Sequence, residues 1–232
     1  NAFFYVLDRV TGELLSAEKF APVNWATHID MKTGRPVEAP GVRYYETPGK
    51  AIPVMPGPFG AHNWHPMAYH PELKLAYIPT HLLPTTYKTG GSELGGVEAP
   101  IYGIHPDDHR SLHAAGRLVA WDPLSQTARW TVPQVLPFNG GTLATAGNLV
   151  FQGAANGEFS AYAADSGARL WSIRTGSAIH ASPVTYEIDG EQMVLVPVGH
   201  GAGDSRYLIP AYSATEDAKA VSGLWAFKLN SS

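Results

Sequence analysis

The chain has 232 residues, with 16 Lys and Arg against 20 Asp and Glu, a formal charge of −4. That excludes a generic nucleic-acid binder, which carries a strong basic excess. Charged residues are only 16%, while Gly (24) and Pro (19) are abundant, the profile of a turn-rich β protein rather than a helical bundle or a disordered tail.

Cysteine is absent, so no disulfide, thiolate metal site, catalytic thiol or covalently attached haem comes from these residues. That is compatible with the periplasm. No apolar run approaches the ~20 residues that span a bilayer, and no leader sequence is legible. The opening run, Asn1 to Asp8, reads as the middle of a β-strand, as if the chain began inside a larger fold.

Helical periodicity is missing, and short apolar or alternating runs lie between turn residues. In chain order the predicted strands are 3–7, 75–79, 117–121, 148–152, 158–163, 193–198 and 224–229. Asn156-Gly157 and Asp189-Gly190 are hairpin signals between such runs. The stretches 22–62 and 81–116 show almost no strand pattern and read as long loops across one face.

Three segments share one frame. Ala120-Trp121-Asp122 is followed by Gln126 and Trp130, four and eight residues after the Asp. Ala161-Tyr162-Ala163 is followed by Gly167 and Trp171 at those offsets, and Val6-Leu7-Asp8 by Gly12 and Ser16. Asp122 and Ala163 stand 41 residues apart, the length of one four-stranded propeller blade. The Gly supplies a positive φ in the turn, and the Trp packs between neighbouring blades. The alternative is a set of unrelated hairpins with common turn chemistry. At blade length the chain holds about four or five units.

The densest polar constellation is Pro56 to Met67, with His62, Asn63, Trp64 and His65 on a Gly/Pro-rich backbone. Two imidazoles without a carboxylate make a poor metal site. The loop reads either as a ligand-binding loop, with Asn63 and Trp64 supplying directed hydrogen bonds, or as a plug whose Asn63 satisfies local backbone groups. His105 to His109 reads as a polar surface loop rather than a cation site. The Gly-rich loops 137–142 and 198–203 lack a phosphate-loop Lys. They suit close approach of backbone to a ligand or to another blade. No G-x-S-x-G elbow supports a hydrolase.

Segments 1–9, 22–26, 60–67, 116–123 and 139–153 resemble, in order and spacing, the C-terminal half of the pyrroloquinoline quinone (PQQ)-dependent alcohol dehydrogenases. The resemblance implies an all-β, eight-bladed β-propeller of Trp-docking blades. Residues 1–232 would be the C-terminal part of that single domain, with no cytochrome domain. It also implies a periplasmic location and PQQ beside Ca2+ or a lanthanide, the metal acting as a Lewis acid. An Asp base takes the alcohol proton while hydride passes to the quinone. Electrons pass to an external cytochrome c or a dye.

By the same resemblance, Asn63 and Trp64 contact the quinone's polar rim. Gly199, His200 and Gly201 match a Gly-Trp-Gly segment beside the cofactor, with His200 where Trp is usual. The catalytic Asp, the metal-ligating Glu and Asn, a vicinal disulfide, a stacking Trp and a cofactor-contacting Lys all belong to the preceding half. No catalytic residue and no metal ligand is therefore expected here. The chain is expected to be inactive alone and to need the N-terminal half as a second polypeptide, with a small alcohol as substrate. The competing expectations are a non-catalytic periplasmic scaffold for protein assembly and a catalytically dead quinoprotein fragment.

Overall fold

A computed structural model describes residues 1–89, 97–98, 116–199 and 222–228. Strands β1 (Phe3–Leu7) and β2 (Leu14–Lys19) form one hairpin, and β3 (Ala26–Ile29) and β4 (Pro36–Glu38) a second. A 3-10 turn at Tyr44–Glu46 leads to β5 (Ile52–Val54), β6 (Ala68–His70), β7 (Leu75–His81), β8 (Thr85–Thr89) and β9 (Val97–Glu98). The chain continues through β10 (Gly116–Asp122), β11 (Thr127–Gln134), β12 (Thr142–Thr145), β13 (Leu149–Gly153), β14 (Glu158–Ala163) and β15 (Arg169–Arg174). The last described strands are β16 (Val184–Ile188), β17 (Glu191–Val198) and β18 (Gly223–Lys228).

Two complete four-stranded antiparallel blades result, β6-β7-β10-β11 and β12-β13-β14-β15. The β1–β2 hairpin flanks the first blade, and the three-stranded sheet β16-β17-β18 flanks the second. Between β7 and β10 the chain leaves its blade, and β8 pairs with β5 and β9 in a separate sheet.

The stretch 22–62 is therefore not a plain loop, because it carries β3, β4 and β5. These strands are three or four residues long. At that length, among Pro and Gly, they leave no alternation for a sequence pattern to detect. Strand β8 likewise lies within 81–116.

The three-copy frame is real at the backbone. In each copy a hairpin carries an irregularity at the same place, between Val6 and Leu7, Ala120 and Trp121, and Ala161 and Tyr162. In each the residue four after the frame's third position has positive φ: Gly12 at 75°, Gln126 at 55° and Gly167 at 72°. The turn recurs a fourth time, outside the three-copy frame. Asp30 stands four residues before Gly34, whose φ is 70° and whose N–H donates to the Asp30 carbonyl at 2.8 Å. The signal was legible, since Asp8 and Gly12 have the same spacing.

The core lies in layers between the sheets. Leu75, Tyr77, Leu118 and Ala120 of the first blade pack on Val150 and Tyr162 of the second. The alternate residues Ala76, Ile78, Val119 and Trp121 pack the other way, against Phe4 and Phe20. Phe151, Phe159 and Ala161 face Val194 and Val196 of the third sheet. A central strand is thus covered on both faces, and every residue of β7 is buried. That is why the inner strands read as continuous apolar runs rather than alternating ones.

Candidate functional site

The Pro56–Met67 loop sits beside the end of β7 and the 136–142 loop. His81 N–H donates to the Ala61 carbonyl at 2.7 Å, and Gly57 N–H to the Leu83 carbonyl at 2.7 Å. Pro66 accepts from Thr142 N–H at 2.9 Å. The glycines of the second loop make this docking possible. A Cβ at Gly141 would stand 2.6 Å from Pro66 Cδ, and one at Gly140 would stand 2.6 Å from the Ala181 carbonyl oxygen. These glycines serve contact between neighbouring segments of the protein, the second of the two roles open for them in sequence.

Asn63 and Trp64 lie at the surface of this loop. Asn63 Nδ2 donates to the Phe59 carbonyl at 3.1 Å, so it does satisfy a local backbone group. Trp64 is 50% exposed. Its indole stacks on Phe138, with ring centroids 5.8 Å apart and planes at 15°, and leans on His65 at 4.6 Å. A large aromatic held flat at a surface, beside an amide, is the character of a ligand platform rather than of a core contact.

Below Trp64 lies a group of histidines that sequence reading did not assemble. His65 is fully buried, and neither ring nitrogen has a hydrogen-bond partner among the described residues. His81 is buried 5.2 Å from it, centroid to centroid. The Phe138 N–H donates to His81 Nδ1 at 3.1 Å. His81 is therefore neutral with its proton on Nε2, an atom without a partner among the described residues. His180 Nδ1 meets the Phe138 carbonyl at 2.8 Å, so its proton is on Nδ1. His62 Nδ1 donates in the same way to the Pro79 carbonyl at 2.8 Å.

Burial disfavours the charged form of His65, His81 and His62. It pushes His65 down to about 3, helped by repulsion from His81, His180 and His62. It pushes His81 down to about 4, with a contribution from His62. His62 is lowered by burial, against the opposing pull of the Pro79 carbonyl. Among the described residues no three His, Asp or Glu side chains stand together as a metal site.

Gly199 joins the same neighbourhood. Its N–H donates to the Ala178 carbonyl at 2.9 Å, and it bridges Ile179, the residue before His180. From Trp64 through Phe138, His180 and Ile179 to Gly199 the contacts are continuous. Gly199 is thus linked to Trp64 through Ile179, His180 and Phe138, without a contact of its own to Asn63 or Trp64 among the described residues. His200 and Gly201 lie outside the described residues, as does the 105–109 segment. Phe138, His81 and His180 carry no local motif. The one hint was that the Pro137–Thr142 loop is Gly-rich.

Residues 107–194 match the PQQ family, described as the glucose/ethanol/alcohol dehydrogenase β-propeller domain. The chain is 49% identical over 204 residues to the quinohemoprotein alcohol dehydrogenase ADH IIB of Pseudomonas putida, covering 87% of this chain and 29% of that protein. It is 43% identical over 230 residues to lupanine 17-hydroxylase [cytochrome c] of a Pseudomonas species, covering 99% of this chain and 33% of that protein. Among solved structures, quinohemoprotein alcohol dehydrogenase ADHIIG from Pseudomonas putida HK5 superposes with a TM-score of 0.86 at 41% identity, covering 99% of this chain and 35% of that one. The chain spans about a third of the length of the relatives it matches.

Proposed function

Since this chain belongs to the β-propeller family of the PQQ-dependent alcohol dehydrogenases, we propose that it forms the C-terminal part of a periplasmic quinoprotein propeller. That propeller oxidises an alcohol to an aldehyde or ketone. The observation that carries this reading is the half-exposed indole of Trp64, held flat on Phe138 beside Asn63. A planar quinone with a polar rim suits such a surface.

Bound PQQ would supply the acceptor for the hydride of the alcohol, a chemistry that no side chain provides. The chain's own residues bind and orient. The Trp64 face gives a flat apolar contact. The Asn63 carboxamide, tied through Nδ2 to Phe59, keeps its oxygen available to a donor. Gly199 brings backbone close without a side chain. Ca2+ or a lanthanide would act as a Lewis acid beside the quinone, with its ligands expected from the N-terminal half. The proton acceptor for the alcohol and the N-terminal half of the propeller, in the same chain or a second one, complete the site. The electrons would leave to a cytochrome c, a reading supported by two relatives whose names carry cytochrome c.

The test is reconstitution of the full-length, quinone-free protein with PQQ and Ca2+, followed by a panel of alcohols with a dye acceptor. We expect alcohol-dependent dye reduction that requires PQQ, and weaker PQQ binding in the Trp64→Ala variant. Failure of the full-length protein to bind PQQ would overturn the reading and leave a non-catalytic scaffold.

A further inference from the structure

We propose that His81 and His180 are positioning residues that clamp the two backbone polar groups of Phe138 and thereby hold the ring on which Trp64 stacks. The proposal rests on the reading of Trp64 as a quinone contact.

Phe138 is an unusual residue. It is fully buried, and its φ is +56°. A bulky side chain at positive φ is disfavoured and persists only where its surroundings impose it. The surroundings here are two imidazoles from different parts of the fold. His81, the last residue of β7, accepts the Phe138 N–H at 3.1 Å. His180, beyond β15, donates to the Phe138 carbonyl at 2.8 Å. Both backbone polar groups of Phe138 are thus bonded to imidazoles. The His81 ring also packs on the Phe138 ring at 4.5 Å, and Phe59 meets its edge at 5.3 Å.

The consequence reaches the surface. Trp64 has Phe138 and His65 as its ring neighbours. If Phe138 relaxes to negative φ, its ring leaves the stack and Trp64 loses its flat support. His180 acts on Trp64 through Phe138, and His81 through Phe138 and through His65, on whose ring it packs at 5.2 Å. Asparagine at position 81 would place a carbonyl oxygen where Nδ1 stands and could still accept the Phe138 N–H. Leucine would leave that N–H buried and unpaired.

The experiment uses the full-length protein and the variants His81→Leu and His81→Asn, with Gly167→Ala as a destabilised control remote from Trp64. Two readouts are taken. The first is Trp64 emission without quinone, isolated from the protein's other tryptophans by subtracting the Trp64→Phe spectrum. The second is the dissociation constant for PQQ. His81→Leu should red-shift the Trp64 emission and weaken PQQ by about tenfold, the effect of leaving one buried donor unpaired. His81→Asn should stay close to wild type in both, and Gly167→Ala should lose stability without a change in either. The clamp is overturned if His81→Leu leaves the emission unmoved, if His81→Asn shifts it as far as His81→Leu, or if Gly167→Ala shifts it equally. If the wild-type protein binds no PQQ, the reading of Trp64 as a quinone contact fails, and the emission difference still decides the clamp.

Discussion

The indole of Trp130 lies directly over Gly167, so that a Cβ on the glycine would stand 2.7 Å from both Cδ2 and Cε3 of the ring. The two residues belong to different blades, β11 of the first and the β14–β15 turn of the second. Trp130 Nε1 also donates to the Ala164 carbonyl at 2.9 Å, and the Tyr77 hydroxyl donates to the same oxygen at 2.9 Å. One carbonyl and one missing side chain therefore join the blades.

Gly167→Ala should be severe for its size. The new methyl meets the indole, and φ at this residue is +72°. The expected loss is about 2 kcal/mol or more, read as a drop in the unfolding midpoint of the full-length protein. Trp130→Phe should cost less, because it empties part of the layer and leaves Ala164 with the Tyr77 bond. An alanine variant as stable as wild type would mean that the blades separate easily at this seam.

The first copy of the frame uses the opposite pairing. Ser16 stands in the place of Trp130, and Gln126 in the place of Gly167. Gln126 keeps the positive φ of 55° and reaches across to accept the Glu18 N–H at 3.0 Å. A small residue on one side is matched by a long one on the other. Ser16→Trp alone should destabilise, because Gln126 occupies the space. Combined with Gln126→Gly it should recover part of the loss, a coupling of about 1 kcal/mol or more. Strict additivity of the two changes in denaturant unfolding would refute the exchange.

The buried histidines set an acid limit. His65 and His81 are held at about 3 and about 4 in the folded protein, whereas an unfolded histidine takes up its proton near 6.5. As pH falls below about 6.5 the unfolded chain binds protons that the folded protein refuses, so stability is full above that value. It is then lost down to about pH 4, where His81 charges in the folded state as well. Each histidine should contribute on the order of 2 kcal/mol to the difference between pH 7 and pH 4.5. Urea unfolding at the two pH values checks this, and His81→Asn should flatten the dependence. A flat wild-type profile over that range would mean that both rings stay charged or solvated.

The turn aspartates form a further testable set. Asp8, Asp30 and Asp122 each accept two successive backbone N–H groups through Oδ1. At Asp122 the Ser125 N–H is the first cause that holds the carboxylate below its ordinary value. Asp122→Ala should cost about 1 kcal/mol, the worth of the lost turn bonds. Asp122→Asn should cost little, since Oδ1 remains and the ion pair to Arg129 is exposed on the arginine side. Equal losses in the two variants by thermal unfolding would transfer the weight to that ion pair.

The strands and their turns were legible because their signals are local. An apolar run, an Asn-Gly or Asp-Gly pair, and an Asp four residues before a Gly act within ten residues. Strand β14 coincides with its expected span, and Asp189 and Gly190 both take positive φ, at 53° and 80°. The short strands β3, β4 and β5 were not legible, since their pairing partners and not their own pattern hold them extended. Asn63 and Trp64 were visible as a motif, and so was their resemblance to a quinone loop. What supports them was not. His65, His81, Phe138 and His180 are far apart in sequence and carry no shared spacing, and an isolated histidine is equally at home in a core. Only the closure of the blades, which brings the end of β7, the 136–142 loop and the turn after β15 to one place, decides that two of these imidazoles bond the backbone of one residue at positive φ, Phe138.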